Sequence, residues 1–174
     1  LCILSAKKPL QVPPKLPWAA DFIVDEALVI NLISNQFPQL CPVSVFYYSE
    51  GWDNVLYKVN DDYIFRFPRR EVAVSLIVTE ARLLPLIKSF LPLSVPDIQF
   101  FAHPGNGYSC PFIGYPELPG VPASHAYLSK AQRESMAIAL ADFLKHLHQI
   151  ERSDVPTDYI LGDEIDRLKL RSDK

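Results

Sequence analysis

Glu80 is the residue least at home in its surroundings. In EVAVSLIVTEARLLPLIKSFL it falls on the apolar stripe, one turn after Leu76 and Ile77 and one turn before Leu84, so its carboxylate is aimed at the core. An unpaired buried charge is expensive, and a cationic partner is expected beside it. DYIFRFPR holds the matching anomaly, because Arg66 stands in the middle of an otherwise apolar run. The two are expected to meet as a guanidinium–carboxylate pair inside an apolar layer. Pattern alone leaves an alternative open, with Arg66 on the solvated face of a half-exposed sheet and Glu80 at the edge of its helix.

The other chemistry-bearing side chains are less organised. His146 and His148 are two apart on a helix and diverge by roughly 200°, so they cannot share a metal as an i, i+4 pair would. His103 and His125 sit beside turns with no Cys or His at ligand spacing, and no protein-ligated zinc is expected. Cys2, Cys41 and Cys110 are widely spaced, odd in number and without a CxxC pair, and read as buried, reduced thiols. With 6 Gly in the chain, neither GxxxxGK[ST] nor GxGxxG occurs.

The elements that must position Arg66 and Glu80 follow from periodicity and turn chemistry. Residues 1–20 are punctuated by proline and read as an extended arm anchored by Trp18. Asp25 as N-cap, Leu28, Leu32 and Ile33 near helical spacing, and a stop before Pro38 predict a helix over about 25–36. PVSVFYYSEG, WDNVLYKVN and DYIFRFPR are β-branched and aromatic, and the tight connections SEGWDN and NDD between them imply an antiparallel meander. A helix of about 72–90 follows, with Ala73, Leu76, Ile77, Leu84 and Ile87 on one stripe and Pro85 expected to bend it late. DIQFFAHP and SCPFIGYPEL read as two more strands around the turn GNG. From Ser129 the chain turns helical: SKAQ resembles a capping box, and Met136, Leu140, Phe143, Leu144 and Leu147 are expected to form a buried face. Ala137, Ala141 and Leu144 make a second apolar edge that needs a partner. A last short helix is expected from Asp163 through Leu168. The fold class is α+β, five strands with one helix inserted after the third.

Composition narrows the partners. The 17 Lys and Arg against 20 Asp and Glu, interspersed, give a net charge of −3 and no concentrated basic face, so nucleic acid is a poor partner. No stretch approaches the ~18 uninterrupted apolar residues of a membrane span, and the start of the chain lacks the charge order of a signal peptide, so a cytoplasmic protein is expected. Residue 1 is Leu and the only Met is Met136, so the sequence reads as an excerpt or a processed product.

A meander, a cation on its third strand, a helix with an inward Glu, then two strands and a link to helices is the layout of a protein-kinase amino-terminal lobe. GWDNVLYKVNDDYIFRFPRR, EARLLPLI from Glu80, SVPDIQF, FIGYPELPG and LADFLKHLH, in that order, resemble the aminoglycoside phosphotransferase family, particularly the branch acting on the 2″-hydroxyl. The likeness covers about 20–150. It implies a nucleotide-binding lobe with its hinge over 21–118 and the start of an incomplete helical core lobe over 119–174. It gives Arg66 the place of the phosphate-binding Lys, a planar fork where protein kinases have an ammonium, and Glu80 the place of its ion-pair partner. The turn at 49–54 would cover the phosphates, with Gly51 permitting close approach and Ser49 as a donor. Tyr115 takes the gatekeeper place, the carbonyl of Pro116 would accept from the base, and the N–H of Leu118 would donate to it. The cofactor implied is ATP or GTP with magnesium, and the acceptor is a small molecule with a hydroxyl, such as an aminoglycoside.

The family's HGDLHxxN and IDFG-like segments supply the base and the magnesium ligands, and neither occurs in these residues. GDE at 162–164 and Asp166 lack the accompanying His and Asn. The expectation is therefore a nucleotide-dependent phosphotransferase whose present chain is inactive alone. The rival is a truncated, non-catalytic kinase-like module acting as a binding or scaffold protein, dimeric if the chain is naturally complete.

Overall fold

The computed structural model describes Leu16 and residues 19–151. The arm with Trp18, Cys2, the helix expected from Asp163 to Leu168 and the GDE segment lie outside the described residues. Helix α1 (Glu26–Gln36) opens on Asp25, whose carboxylate accepts from the Leu28 N–H at 2.8 Å, and closes where the Phe37 N–H reaches the Ile33 carbonyl ahead of Pro38. The strands are β1 (Val45–Glu50), β2 (Asn54–Val59), β3 (Tyr63–Pro68), β4 (Phe100–Ala102) and β5 (Phe112–Pro116). Helix α2 (Val72–Ile87) is inserted after the third, and α3 (Lys130–Gln149) follows the fifth. The sheet runs β1-β2-β3-β5-β4 with every pairing antiparallel, so the expected α+β meander is present.

Strand alternation gives the sheet two unlike faces. Val55, Tyr57, Val59, Phe65, Phe67, Phe100 and Phe112 point to one side and pack under Val29, Leu32 and Ile33 of α1. This is an aromatic core, in which the rings of Phe67 and Phe112 stack with centroids 4.4 Å apart. Leu56, Ile64, Ile113 and Tyr115 point to the other side, against Ile77, Val78 and Ala81 of α2. The β2–β3 connection turns through Asn60 and Asp61, both with positive φ, and the Asn60 amide donates to the Leu40 carbonyl at 2.7 Å and accepts from the Ser44 N–H at 2.8 Å.

Helix α2 continues through Pro85 to Ile87, where the Lys88 N–H closes on the Leu84 carbonyl before a 3-10 turn at Lys88–Phe90. Ser129 and Gln132 form both bonds of the capping box that starts α3. The face expected to be buried on α3 is not. Met136, Leu140 and Leu144 are 45%, 54% and 41% exposed, and Phe143 and Leu147 only half-buried. The reason is that among the described residues no element packs along this helix; Phe90 reaches only its last turn, beside His146, Gln149 and Ile150. Cys110 is buried as expected, whereas Cys41, just past the turn that ends α1, is exposed. No helix among the described residues is long and apolar enough to cross a membrane.

Two tests follow from this packing. Gly114 pairs with Phe65 across the sheet, and a Cβ there would lie 2.6 Å from the Phe65 ring. Gly114→Ala is expected to destabilise the chain by about 1–3 kcal/mol, read by urea titration, as overpacking does in a filled core. The Tyr108 hydroxyl donates to the Pro68 carbonyl at 2.5 Å, and burial first, then Cys110, pushes its phenol above the ordinary range. A folded pKa above the unfolded value of about 10 means that this stability is full below pH 10 and drains as pH rises beyond it. The melting temperature of Tyr108→Phe should therefore fall less steeply than that of the wild type above pH 10.

Candidate functional site

Strand register draws one row of residues across the α2-covered face. Ser49 pairs with Leu56, Leu56 with Arg66, Arg66 with Ile113, and Ile113 with Phe101. Ser49 reaches this row because a bulge at Tyr48 shifts the end of β1 by one residue. The next row holds Phe46, Lys58, Ile64 and Tyr115. Above them α2 buries Ala73 and Ile77, and Glu80 lies one turn beyond Ile77 on the same side.

The two sequence anomalies meet. Arg66 Nη2 donates to Glu80 Oε2, with the side chains 18% and 32% exposed, so the pair is shielded but still touched by solvent. Arg66 Nε is buried and has no hydrogen-bond partner among the described residues. A guanidinium held at one corner by a carboxylate, with its side chain still 18% exposed, keeps N–H donors for a further oxyanion. Tyr115, 7% exposed, stands beside the pair; burial is the largest influence raising its phenol, Arg66 pulls it down and Glu80 pushes it up.

The remaining expected residues occupy the rim. The β1–β2 turn closes with Gly51 N–H on the Asn54 carbonyl at 2.9 Å, and a Cβ on Gly51 would meet nothing within 4 Å, so the space beside it is open. At the end of β5 the Glu117 N–H donates to the Asp62 carbonyl at 2.9 Å. Across that trans peptide the Pro116 carbonyl points the other way, off the β3 edge. Leu118 follows it, exposed. Ser49 and Tyr115 thus share the face with Arg66 and Glu80, while Gly51, Pro116 and Leu118 lie at its two ends.

Sequence reasoning missed four residues around the sheet that carries this face. Lys58 pairs with Glu117 at 2.8 Å and ties β2 to the end of β5; that hydrogen bond is the largest influence raising the Lys58 ammonium. Arg69 and Arg70 reach back to the β1–β2 turn, on Glu50 at 3.0 Å and Asp53 at 2.9 Å. Two adjacent cations directly after an apolar strand were the visible signal for that contact. Asn54, two residues before Leu56 and so on the same face, has a buried Oδ1 without a partner among the described residues. Among the described residues no three His, Cys, Asp or Glu side chains gather around a common point.

Removing one member of the pair separates its structural role from its chemistry. Glu80→Leu strands a half-shielded cation among Ile64, Ile113 and Tyr115, and should cost about 1–3 kcal/mol in chemical denaturation. Combining it with Arg66→Met should restore stability to near wild type, since apolar replacement of both partners is often neutral. Additive losses in the double variant would contradict this.

The comparisons agree with the geometry. The model of a family described as phosphotransferase enzyme family matches residues 47–174, more than half of the chain. No curated protein matches. Solved structures sharing the fold include the GDP complex of wild-type aminoglycoside 2'-phosphotransferase-IIIa, with a TM-score of 0.71 and 23% identity over 86% of this chain and 51% of that one. The GDP and kanamycin complex of APH(2")-IIIa gives 0.65 and 25% over 83% of this chain and 55% of that one. The streptomycin–ATP ternary complex of APH(2")-IIa gives 0.52 and 20% over 87% and 49%. The chain spans about half the length of these structures. A kinase-like fold with an ion-paired strand cation, matched by that family model, makes this chain a member of the phosphotransferase enzyme family.

Proposed function

We propose that the chain is the nucleotide-binding part of a phosphotransferase of the aminoglycoside phosphotransferase type, which moves the γ-phosphate of ATP or GTP to a hydroxyl of a small molecule such as an aminoglycoside. The observation that carries this reading is the Arg66 guanidinium, pinned by Glu80 on an apolar face and still partly open to solvent. Phosphoryl transfer is catalysed mainly by positioning and charge neutralisation, and a fixed cation on the phosphates supplies both. Magnesium, when bound with the nucleotide, supplies further charge neutralisation.

The chain's own residues divide that work. Arg66 takes phosphate oxygens, and Glu80 keeps its fork from swinging away. Ser49 offers a hydroxyl from the same row, and the open side of Gly51 lets the turn come down on the phosphates. At the other end Tyr115 backs the base, with the Pro116 carbonyl and the Leu118 N–H as its edge-reading pair. Residues 21–118 form this nucleotide lobe with its hinge, and 119–174 open the helical lobe that would seat the acceptor. With HGDLHxxN and IDFG-like segments absent from these residues, the chain alone should show no turnover.

Thermal-shift titration with Mg-ATP and Mg-GTP tests the reading. A ligand at a hundred times its Kd stabilises the folded state by about 2.7 kcal/mol, and Arg66→Ala should abolish the shift. A folded wild type that responds to neither nucleotide overturns the proposal.

A further inference from the structure

The segment that follows β3 does more than connect it to α2. The Arg69 N–H donates to the Asp53 carbonyl at 2.8 Å, extending the β2–β3 ladder one step past its last pair, Asn54 with Pro68. Arg69 Nη1 then donates to the Gly51 carbonyl at 3.1 Å and pairs with Glu50 Oε1 at 3.0 Å. Arg70 Nη1 holds Asp53 Oδ1 at 2.9 Å. The tip of the β1–β2 hairpin is thus gripped by two consecutive arginines from the segment that follows β3. Their own backbone is fixed in turn, since the Arg69 carbonyl accepts from Asp21 at 2.7 Å and Phe22 at 3.1 Å.

The side on which Arg69 sits decides what this grip does. Glu50 pairs with Val55, whose side chain belongs to the α1-covered face, and Arg69 lines a hollow there with Phe22, Val24 and Tyr57. The Gly51 carbonyl is therefore drawn towards that face. The Gly51–Trp52 peptide is trans, so the Trp52 N–H must point the opposite way. On that opposite side stand Ser49, Leu56 and Arg66.

We propose that Arg69 is a positioning residue: by capturing the Gly51 carbonyl on one side of the sheet, it presents the Trp52 N–H on the other as a donor for a nucleotide phosphate. This rests on the nucleotide-binding reading above. Arg70 acts with it by fixing Asp53, which closes the far end of the same turn.

The test uses the full chain with Arg69→Met, which keeps the carbonyl that holds Asp21 and Phe22, and Arg69→Lys, which keeps the charge. The 15N order parameter of Trp52 is measured without ligand, and affinities are measured for Mg-ADP, Mg-GDP, adenosine and guanosine. Arg69→Met should drop the Trp52 value from about 0.85 to below about 0.6 with the strands unchanged. It should weaken the bound diphosphate about tenfold, the scale of one charge-assisted hydrogen bond, while leaving the matching nucleoside unaffected. An unchanged Trp52 order parameter overturns the proposal. So does equal loss for diphosphate and nucleoside, or an Arg69→Lys chain that binds like wild type while its turn is as loose as in Arg69→Met. A wild-type chain that binds neither diphosphate overturns the nucleotide reading and the ligand assigned to this N–H, and a loosened turn would then still identify the arginine clamp.

Discussion

The structure is organised around one charged contact placed where charge is costly. Arg66 projects from the middle of β3 into a layer built by Leu56, Ile64, Ile77, Ile113 and Tyr115, and Glu80 is the group that makes this tolerable. Apolar residues of the same volume would fill the layer with no desolvation penalty. The pair therefore contributes little to folding that a Met and a Leu would not. What it contributes is a cation with a defined position and a donor left over, and that is what a phosphate-handling face requires.

The sheet and the ties around it hold that position. The α1-covered face of the sheet carries the stacked aromatic rings and supplies the rigidity, so the opposite face can give up part of its apolar packing to a charge. Gly114 lets β5 lie flush against Phe65, which brings Ile113 and Tyr115 into line beside Arg66. The two ends of the face are closed by backbone and side-chain ties from neighbouring elements. Lys58 and the Asp62 carbonyl fix the end of β5, and Arg69 and Arg70 fix the β1–β2 turn. The exposed apolar side of α3 lies apart from this machinery.

The sequence was most legible where a residue violated its own pattern. An acidic residue on an apolar helical stripe and an arginine within an apolar strand each called for a partner or for a solvated edge, and the contact between Arg66 and Glu80 decides for the partner. The antiparallel meander was legible as well, because turns as short as NDD cannot connect parallel strands. The burial of α3 was not, since an amphipathic pattern states which face seeks cover and not whether cover is present. Cys41 misled for a similar reason, because a thiol's preference for the interior says nothing about its place past the end of a helix. The arginine clamp escaped notice because long polar side chains reach across strands, beyond the i, i+3 or pleat spacing that a linear reading can follow.

The claim that the half-buried pair exists to grip phosphate, and not to hold the fold, is most directly tested by calorimetric titration of Mg-ADP and Mg-GDP into the Arg66→Met/Glu80→Leu double variant. The account predicts a chain as stable as the wild type that has lost measurable affinity for the diphosphate the wild type binds. A double variant that retains wild-type affinity would contradict it.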